Sequence, residues 1–158
     1  YKEGVELLKS GKYDEGLKLF DEILKQNSSD ENAKIMRAAC LIVLGREDEA
    51  REFYAGHSLA DALFSGRVAD FISPDDKELR IKRLLELCDK ITTLERNLKE
   101  IWLKKAKYYQ ILANLLMASH SLNYEGQTYY HRKKLESIDE ALRIDPNYKK
   151  ALDEKNKW

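Results

Sequence analysis

Residues 4–20, GVELLKSGKYDEGLKLF, return 34 positions later as residues 38–54, AACLIVLGREDEAREFY. Small residues stand opposite small residues, large apolar residues opposite large apolar residues, and Gly11 opposite Gly45, without a gap. A unit of this length that occurs twice in tandem is typical of stacked helical repeats, in which each unit buries its apolar face against its neighbour. The stretch therefore predicts an all-α array, an architecture more typical of binding proteins than of enzymes.

Two kinds of small residue have different roles in this pattern. Gly11 and Gly45 each follow an apolar helical stretch, where a left-handed backbone conformation ends one helix and lets the next fold back. Gly16 and Ala50 lie in the helices that follow, where a larger side chain would push two crossing helices apart. Each copy is therefore predicted to be a helix, a glycine turn and a second helix with a small crossing residue.

The composition narrows the class of partner. The chain has 158 residues, and its 28 basic and 28 acidic side chains give a net charge of zero. This balance gives no electrostatic support to binding a nucleic-acid backbone or an anionic membrane. Apolar runs such as residues 38–44 are too short to span a bilayer, so we expect no membrane insertion. Cys40 and Cys88 lie among apolar residues, as buried thiols do in a reducing compartment, and we expect a cytoplasmic protein.

The two copies resemble the tetratricopeptide repeat family. The family unit has a small and an apolar residue in its first helix, a glycine turn, and a small and an aromatic residue in its second helix. The matching residues are Gly4, Leu7, Gly11, Gly16 and Phe20, then Ala38, Leu41, Gly45, Ala50 and Tyr54. The resemblance implies a superhelix of antiparallel helix pairs and a non-catalytic scaffold that binds other proteins.

We predict a single helical repeat domain over residues 1–158. Its parts are repeat 1 (1–30), repeat 2 (31–57), a helical insertion (58–111), a degenerate repeat 3 (112–146) and the start of a closing helix (147–158). Repeat 3 departs from the family pattern because Lys134 stands where the small crossing residue belongs. We also expect a loop at residues 123–128 and further sequence upstream of Tyr1.

Residues 77–122 carry a long run of apolar side chains at heptad spacing. This spacing is compatible with a self-associating coiled coil, or with long helices that pack inside the chain. A capping-box pattern at residues 92–95 leaves open whether the run is one continuous helix or a pair of helices. The alternative function that follows is homo-oligomerisation through this stretch.

The resemblance also implies where a partner would bind. In such arrays the first helix of each repeat lines the concave surface, and here it would present a mostly apolar groove to a partner's helix or extended peptide. The groove residues are Tyr1, Val5, Leu8, Lys9, Asn32, Ile35, Ala39, Ile42 and Val43. Two alternatives stay open: a foreign peptide occupies the groove, or residues 58–72 of this chain or a neighbouring repeat fill it.

The sequence gives little support for catalysis, metal binding or cofactor binding. The three histidines, His57, His120 and His131, lack the spacing of a zinc site, and no phosphate-binding glycine loop or nucleophile motif is present. We therefore predict no catalytic residue, no metal site and no cofactor. One branch of the family holds a carboxylate with Lys, Arg and Asn at positions that are Tyr1, Val5 and Met36 here, so we do not expect that partner class.

Aromatic and basic side chains alternate over residues 102–134. The aromatic residues are Trp102, Tyr108, Tyr109, Tyr124, Tyr129 and Tyr130; the basic ones are Lys104, Lys105, Lys107, Arg132, Lys133 and Lys134. Such interleaving is compatible with stacking on single-stranded nucleic acid, or with lysine stems that cover an aromatic core. A nucleic-acid-binding adaptor is therefore a third interpretation, which the zero net charge disfavours.

Overall fold

The computed structural model of the chain describes residues 2–46, 48–51, 76–119 and 124–157. These ranges consist of helices and the loops between them, without a strand, and the all-α prediction is confirmed. The helices are α1 (Lys2–Lys9), α2 (Tyr13–Gln26), α3 (Glu31–Val43), α4 (Lys77–Leu94), α5 (Lys99–Ala118), α6 (Tyr124–Ile144) and α7 (Lys149–Lys155). Residues 48–51 are also helical.

The chain divides into two compact units, Tyr1–Lys90 and Ile91–Trp158. The N-terminal unit contains α1 to α3 and α4 as far as Lys90. The C-terminal unit contains the end of α4 and α5 to α7. The predicted boundaries of the individual repeats stay predictions.

Both predicted glycine turns have a left-handed backbone. Gly11 and Gly45 each have a φ of 79°. After α1, the Gly11 N–H donates to the Leu8 carbonyl at 3.0 Å and the Lys12 N–H donates to the Leu7 carbonyl at 2.8 Å. Equivalent hydrogen bonds occur 34 residues later at the end of α3. This pair of bonds satisfies carbonyls that have no donor within the helix, which is why glycine recurs at both positions.

Helices α1 and α2 pack closely because two contact positions hold glycine. A Cβ atom on Gly4 would lie 2.9 Å from Cζ of Phe20, and a Cβ atom on Gly16 would lie 3.0 Å from Cδ2 of Leu8. Both Phe20 and Leu8 are completely buried. The close crossing predicted at Gly16 is confirmed.

In the N-terminal unit, two basic side chains of α4 contact the C-terminal ends of α1 and α3. Lys90 Nζ donates to the carbonyl oxygens of Val43 at 2.9 Å and of Ile42 at 3.3 Å, at the end of α3. A nitrogen of the Arg83 guanidinium donates to the carbonyl oxygen of Lys9 at 3.5 Å, at the end of α1. The last carbonyls of a helix lack intrahelical donors and carry partial negative charge, so these contacts stabilise both helix ends.

The heptad-spaced run is divided between two helices. Helix α4 ends at Leu94 and α5 begins at Lys99, so the break lies at the capping-box pattern. The apolar residues of the run are buried by the chain itself: Leu84, Leu87, Ile91, Leu98, Ile101 and Leu112. This placement favours the interpretation in which the stripe packs inside the chain.

Helices α5 and α6 form a long antiparallel pair in the C-terminal unit. Their shared core contains Leu103 and Ala106 of α5, Ile138 and Ala141 of α6, and Ala151 of α7.

The start of α6 corrects one expectation. The loop predicted for residues 123–128 is wrong, because residues 124–128 are the first helical turns of α6. Gly126 suggested a turn, but a single glycine costs a helix only about 1 kcal/mol, and packing along a long helix pair outweighs that cost.

The loop between α4 and α5 has the geometry of two other loops. Four-residue loops occupy residues 27–30, 95–98 and 145–148. In each, the third residue's N–H donates to the first residue's side-chain oxygen, at 3.1 Å, 3.4 Å and 3.1 Å respectively. The helix after each loop then buries its third residue completely: Ala33, Ile101 and Ala151. Helix α5 therefore begins in the same way as α3 and α7, and it extends across the predicted boundary at residue 111.

Candidate functional site

Most residues of the predicted groove are not on an open surface. The side chains of Leu8, Ala39 and Ile42 are 0% exposed, and Ile35 is 3% exposed. Among the other members, Val5, Lys9 and Val43 are half-buried and Asn32 is exposed. Tyr1 lies outside the described residues.

The expected apolar groove is therefore wrong in one respect, the accessibility of these four side chains. They are buried although no partner is present, so the chain's own packing covers them. Near this region, Arg83 and Lys90 of α4 donate hydrogen bonds to backbone carbonyls at the ends of α1 and α3. Residues 58–72, the other expected occupant, lie outside the described residues. Binding of a partner at the accessible remainder stays a prediction.

A cleft of about 460 Å³ lies in the C-terminal unit, and we call it the C-terminal cleft. Helix α5 contributes four of the lining side chains, α6 contributes Lys134, α7 contributes Glu154, and Lys157 lies just after α7. The lining residues are Lys107, Gln110, Ile111, Asn114, Lys134, Glu154 and Lys157. Apolar surface from Ile111 and from the lysine stems is thus combined with amide and charged groups.

Lys134 projects from α6 into the protein; it is the residue predicted at the crossing position of repeat 3. It is 2% exposed, its Nζ donates to Oε1 of Gln110 at 2.9 Å, and it lies 3.9 Å from Oε2 of Glu154. Burial lowers the pKa of Lys134, the charge of Glu154 raises it in part, and the charge of Lys157 lowers it further. The Lys134 side chain therefore joins α6 to α5 and α7 through polar contacts.

Glu154 is the acidic residue that lines the C-terminal cleft. Its carboxylate accepts a hydrogen bond from Lys157 Nζ at 2.8 Å, and its side chain is 14% exposed. Burial alone would raise the pKa of Glu154, but the hydrogen bond from Lys157 and the charges of Lys157, Lys134 and Lys107 outweigh burial, so the pKa lies below its usual value. Glu154 is therefore ionised at neutral pH.

The aromatic and basic residues of α5 are largely engaged with one another. Tyr108 is 5% exposed and Lys105 is 7% exposed. Lys105 Nζ lies 4.2 Å from the ring centroid of Trp102, and Lys104 Nζ lies 5.3 Å from that of Tyr108. These cation–π contacts match the interpretation in which lysine stems cover aromatic rings. Nucleic-acid binding stays a prediction.

The described ranges contain few groups suited to catalysis. Within them, no three His, Cys, Asp or Glu side chains are placed to hold a metal ion. Cys40 and Cys88 are free and buried, and burial raises the pKa of the Cys40 thiol to about 12. That thiol stays protonated and unreactive at neutral pH. Of the helices in the described residues, none has the length and apolarity needed to cross a membrane.

Helix α5 carries a sequence pattern that the predicted repeat boundaries do not use. Ala106 is completely buried, Trp102 precedes it by four residues and Tyr109 follows it by three. This spacing is typical of the first helix of a tetratricopeptide repeat, with a tryptophan, a small residue and a tyrosine. The signal was hidden because Lys105 stands where the apolar residue of the pattern belongs.

The pair formed by α5 and α6 is longer than the pair in the first repeat. Its helices have 20 and 21 residues, whereas α1 and α2 have 8 and 14. Ala106 and Lys134 are 28 residues apart, whereas Gly4 and Gly16 are 12 residues apart. Gln110, Ile111 and Asn114, which line the C-terminal cleft, lie C-terminal to Ala106 in this lengthened pair.

Comparison with known proteins supports the repeat pattern. Residues 7–71 match the family model described as Tetratricopeptide repeat. Comparison with curated proteins and with solved structures finds no match. Repeats of this family generally mediate protein–protein interactions and are typically non-catalytic. With its 34-residue period and its two glycine turns, the part of the chain that this match covers has the features of tetratricopeptide repeats.

Proposed function

We propose that this chain is a non-catalytic protein-interaction scaffold that holds a segment of a partner protein in the C-terminal cleft. The observation that carries the proposal is the lining of the cleft, where apolar surface and several charged or amide side chains converge on one concavity. The groove first predicted in the N-terminal unit is a weaker candidate, because Ile35, Ala39 and Ile42 are buried.

The size and chemistry of the C-terminal cleft suit a peptide side chain or a short turn. Its volume of about 460 Å³ lies within the range of binding pockets, roughly 300–1,000 Å³. Ile111 offers apolar contact. Gln110 accepts from Lys134 at 2.9 Å and donates to Asn114 Oδ1 at 2.8 Å, which leaves the exposed amide nitrogen of Asn114 to donate to a partner's main chain. A partner segment is therefore a better match than a fully apolar ligand.

We infer no chemistry at this site. The lining residues include no histidine, cysteine or serine, and the carboxylate of Glu154 is already paired with Lys157. A general base needs a pKa near the working pH, and the pKa of Glu154 is shifted away from neutrality. A cytoplasmic location stays a prediction.

The test compares the proteins captured by three variants of the full chain from a lysate of the source organism. Asn114→Trp places an indole in the C-terminal cleft at an exposed position of α5. Met117→Trp is the matched control, because Met117 is 61% exposed on the same helix and does not line the cleft. Val5→Glu changes the groove predicted in the N-terminal unit.

We expect partners captured by the wild type to be lost with Asn114→Trp and retained with Met117→Trp and Val5→Glu. Circular dichroism of each variant checks that the helices are intact. Loss of partner capture with Val5→Glu alone would indicate that partners bind at the predicted groove instead. Capture that is the same for all variants would refute both surfaces.

A further inference from the structure

Two side-chain amides of the C-terminal cleft form a short hydrogen-bonded chain that starts at Lys134. Lys134 Nζ donates to Oε1 of Gln110 at 2.9 Å, and Nε2 of Gln110 donates to Oδ1 of Asn114 at 2.8 Å. Gln110 and Asn114 are four residues apart on α5, so their side chains lie on the same face of the helix. The hydrogen-bonded chain therefore runs from the buried Lys134 to an exposed position on α5.

The chemistry of lysine fixes the direction of this chain. An ammonium group has three donors and no acceptor, so the amide of Gln110 has to turn its oxygen toward Lys134. The amide nitrogen of Gln110 then faces Asn114, which accepts with its own oxygen. The exposed end of the chain is consequently the amide nitrogen of Asn114, a hydrogen-bond donor.

Donors also predominate among the other polar groups of the C-terminal cleft. Lys107 and Lys157 contribute ammonium groups at exposed positions. The side-chain acceptors of the lining take hydrogen bonds from the chain itself: Gln110 and Asn114 as above, and Glu154 from Lys157 at 2.8 Å. The cleft therefore offers mainly donors to a partner.

Among main-chain segments, the C-terminal end of a helix matches such a site best. Its last carbonyls lack intrahelical donors and carry partial negative charge, whereas an extended segment presents N–H and C=O groups in equal number. The three ammonium groups and one carboxylate of the lining give an excess of positive charge that complements a helix end. A full carboxylate is a poorer match, because it costs more to desolvate and is repelled by ionised Glu154.

The N-terminal unit already contains contacts of this type. Lys90 Nζ donates to the carbonyl oxygens of Ile42 and Val43 at the end of α3, and the Arg83 guanidinium donates to that of Lys9 at the end of α1. Side-chain donors from one helix thus serve the last carbonyls of another. The C-terminal cleft offers donors of the same kind to a helix from outside the chain.

We propose that the C-terminal cleft binds the C-terminal end of a helix of a partner protein, with Asn114 and Lys107 donating to its last carbonyls. Ile111 contacts an apolar side chain of its last turn. Lys134, which is 2% exposed, is a positioning residue that orients Gln110 and thereby Asn114. This inference rests on the proposed function, because it names the part of a partner that the scaffold recognises.

The test is an NMR titration of the full chain, labelled with the heavy nitrogen isotope and read at its side-chain amide signals. The probe is a stapled, alanine-rich helical peptide with an acetylated N-terminus and an amidated C-terminus. The first comparison peptide carries a bulky blocking group at its C-terminal end, the second is an unstapled extended peptide, and the third has a free C-terminal carboxylate. The set separates a helix end from a helix side, from an extended main chain and from a carboxylate.

We expect the open amidated helix to shift the side-chain amide signal of Asn114. The signal of Asn147, which is exposed in the loop 145–148 and does not line the cleft, should stay unchanged. The blocked helix and the extended peptide should bind more weakly. Equal binding of the open and blocked helices would overturn the inference, as would binding that requires the free carboxylate.

Asn114→Asp replaces the exposed donor by an acceptor of nearly the same shape. We expect it to weaken binding of the open amidated helix by about tenfold, because an acceptor then faces the carbonyls. Binding is followed at the backbone amide signal of Ile111. Asn147→Asp is the matched control, with the same change of charge outside the cleft, and its effect should be negligible. Unchanged binding by Asn114→Asp would overturn the inference.

Lys134→Met tests the positioning role, since it keeps the side-chain length but removes the donor that starts the hydrogen-bonded chain. Two amide orientations then become about equally populated, so we expect binding to weaken about twofold. The side-chain amide signals of Gln110 and Asn114 should also shift in the free protein, a change that weaker helix packing alone does not produce. If Lys134→Met does not fold, Gln110→Met, at a half-buried position, breaks the same link. Unchanged binding by the folded variant would refute the positioning role.

The outcomes also separate this inference from the scaffold proposal. If Asn114→Trp abolishes partner capture while the open helix fails to bind, the scaffold proposal stands and this inference fails. If the open helix binds as expected and Asn114→Trp leaves capture unaffected, the scaffold proposal fails and the site for a helix end remains.

Discussion

Gly11 and Gly16 are five residues apart, and a side chain at each position would destabilise the fold for a different reason. Gly11 has open space around its Cα but a φ of 79°, a conformation that residues with a Cβ rarely adopt. Gly16 lies within α2, and a Cβ atom added there would lie only 3.0 Å from Cδ2 of Leu8. One position depends on backbone conformation and the other on packing.

We expect Gly11→Ala to lower the free energy of unfolding by about 1 kcal/mol, the cost of a left-handed alanine. We expect Gly16→Val to lower it by about 1–3 kcal/mol, because branched carbons would press on the buried Leu8 side chain. Urea unfolding followed by circular dichroism measures both. Lys18→Ala, exposed on α2, is the control and should stay within about 0.5 kcal/mol. A Gly16→Val variant as stable as this control would contradict the close crossing.

Asp145 gives the C-terminal unit a pH dependence. Its carboxylate accepts from Lys99 Nζ at 2.6 Å and from the Asn147 N–H at 3.1 Å. The hydrogen bond from Lys99 is the main reason that the pKa of Asp145 lies below its usual value, and the bond from Asn147 acts in the same direction. Because the folded-state pKa is lowered, the contact stabilises the fold above the unfolded-state pKa and is lost as the pH falls through the folded-state pKa.

We expect Asp145→Asn to be less stable than the wild type near neutral pH. The difference should shrink as the pH falls below about 4, where the wild-type carboxyl is also protonated. Thermal unfolding at several pH values measures it, with Asp153→Asn, exposed on α7, as the control. A difference that stayed constant down to about pH 2 would show that lost packing, rather than lost charge, is responsible.

At the scale of the element, the ends of the helices depend on distant side chains. Helix α3 has no basic residue in its own last turn, and its final carbonyls receive hydrogen bonds from Lys90 of α4. Lys90 is 47 and 48 residues away from these carbonyls along the chain. The glycine turn at Gly45 was visible in the sequence, but this second stabilising contact was not.

We expect Lys90→Met to lower the free energy of unfolding by about 1–2 kcal/mol, since it removes charged hydrogen bonds but keeps the length of the side chain. Lys77→Met, an exposed position on α4, is the control and should have little effect. Chemical denaturation of both variants is the measurement. If the two variants were equally stable, the contact with the end of α3 would contribute nothing to stability.

The long helix pair shows why element boundaries were harder to predict than element type. Helical periodicity along residues 77–118 predicted helices correctly. The position of the α4–α5 break was left open, and Gly126 was misread as part of a loop. A capping pattern or a single glycine changes the stability of a helix by only about 1 kcal/mol. Packing along the helix therefore decides where the helix begins and ends.

At the scale of the whole molecule, the apolar stripe over residues 77–122 bears on self-association. A coiled coil needs this stripe on the surface, but Leu84, Leu87 and Ile101 are each at most 1% exposed. Buried side chains cannot form a second interface without partial unfolding. Homo-oligomerisation through this stretch therefore has weak support and stays a prediction.

We expect the thermal midpoint to be independent of protein concentration over a roughly hundredfold range, because a stripe buried in one chain gains nothing by association. Leu84→Ala should lower the free energy of unfolding by about 2–5 kcal/mol, without changing the mass in solution. Calorimetry and sedimentation are the two measurements. A midpoint that rose with concentration would support self-association.

The candidate site was less predictable than the fold. The predicted groove used the rule that first helices line a concave surface, and the rule assumes that nothing in the chain covers that surface. Ile35, Ala39 and Ile42 are buried, and helical periodicity alone does not tell a buried apolar face from an open groove. The C-terminal cleft was missed for the same reason, because Lys107, Lys134 and Glu154 come from three different helices.

The sequence by itself determined the helical repeat, its 34-residue period and its glycine turns, because these depend on contacts within one repeat or between adjacent repeats. Small residues at Gly4 and Gly16 and the backbone freedom of Gly11 are local requirements that a single sequence displays. Only the tertiary structure decided which apolar faces stay accessible and where charges converge. The accessibility of a side chain and its ion pairs depend on groups that are far apart in sequence. Only folding brings these groups together.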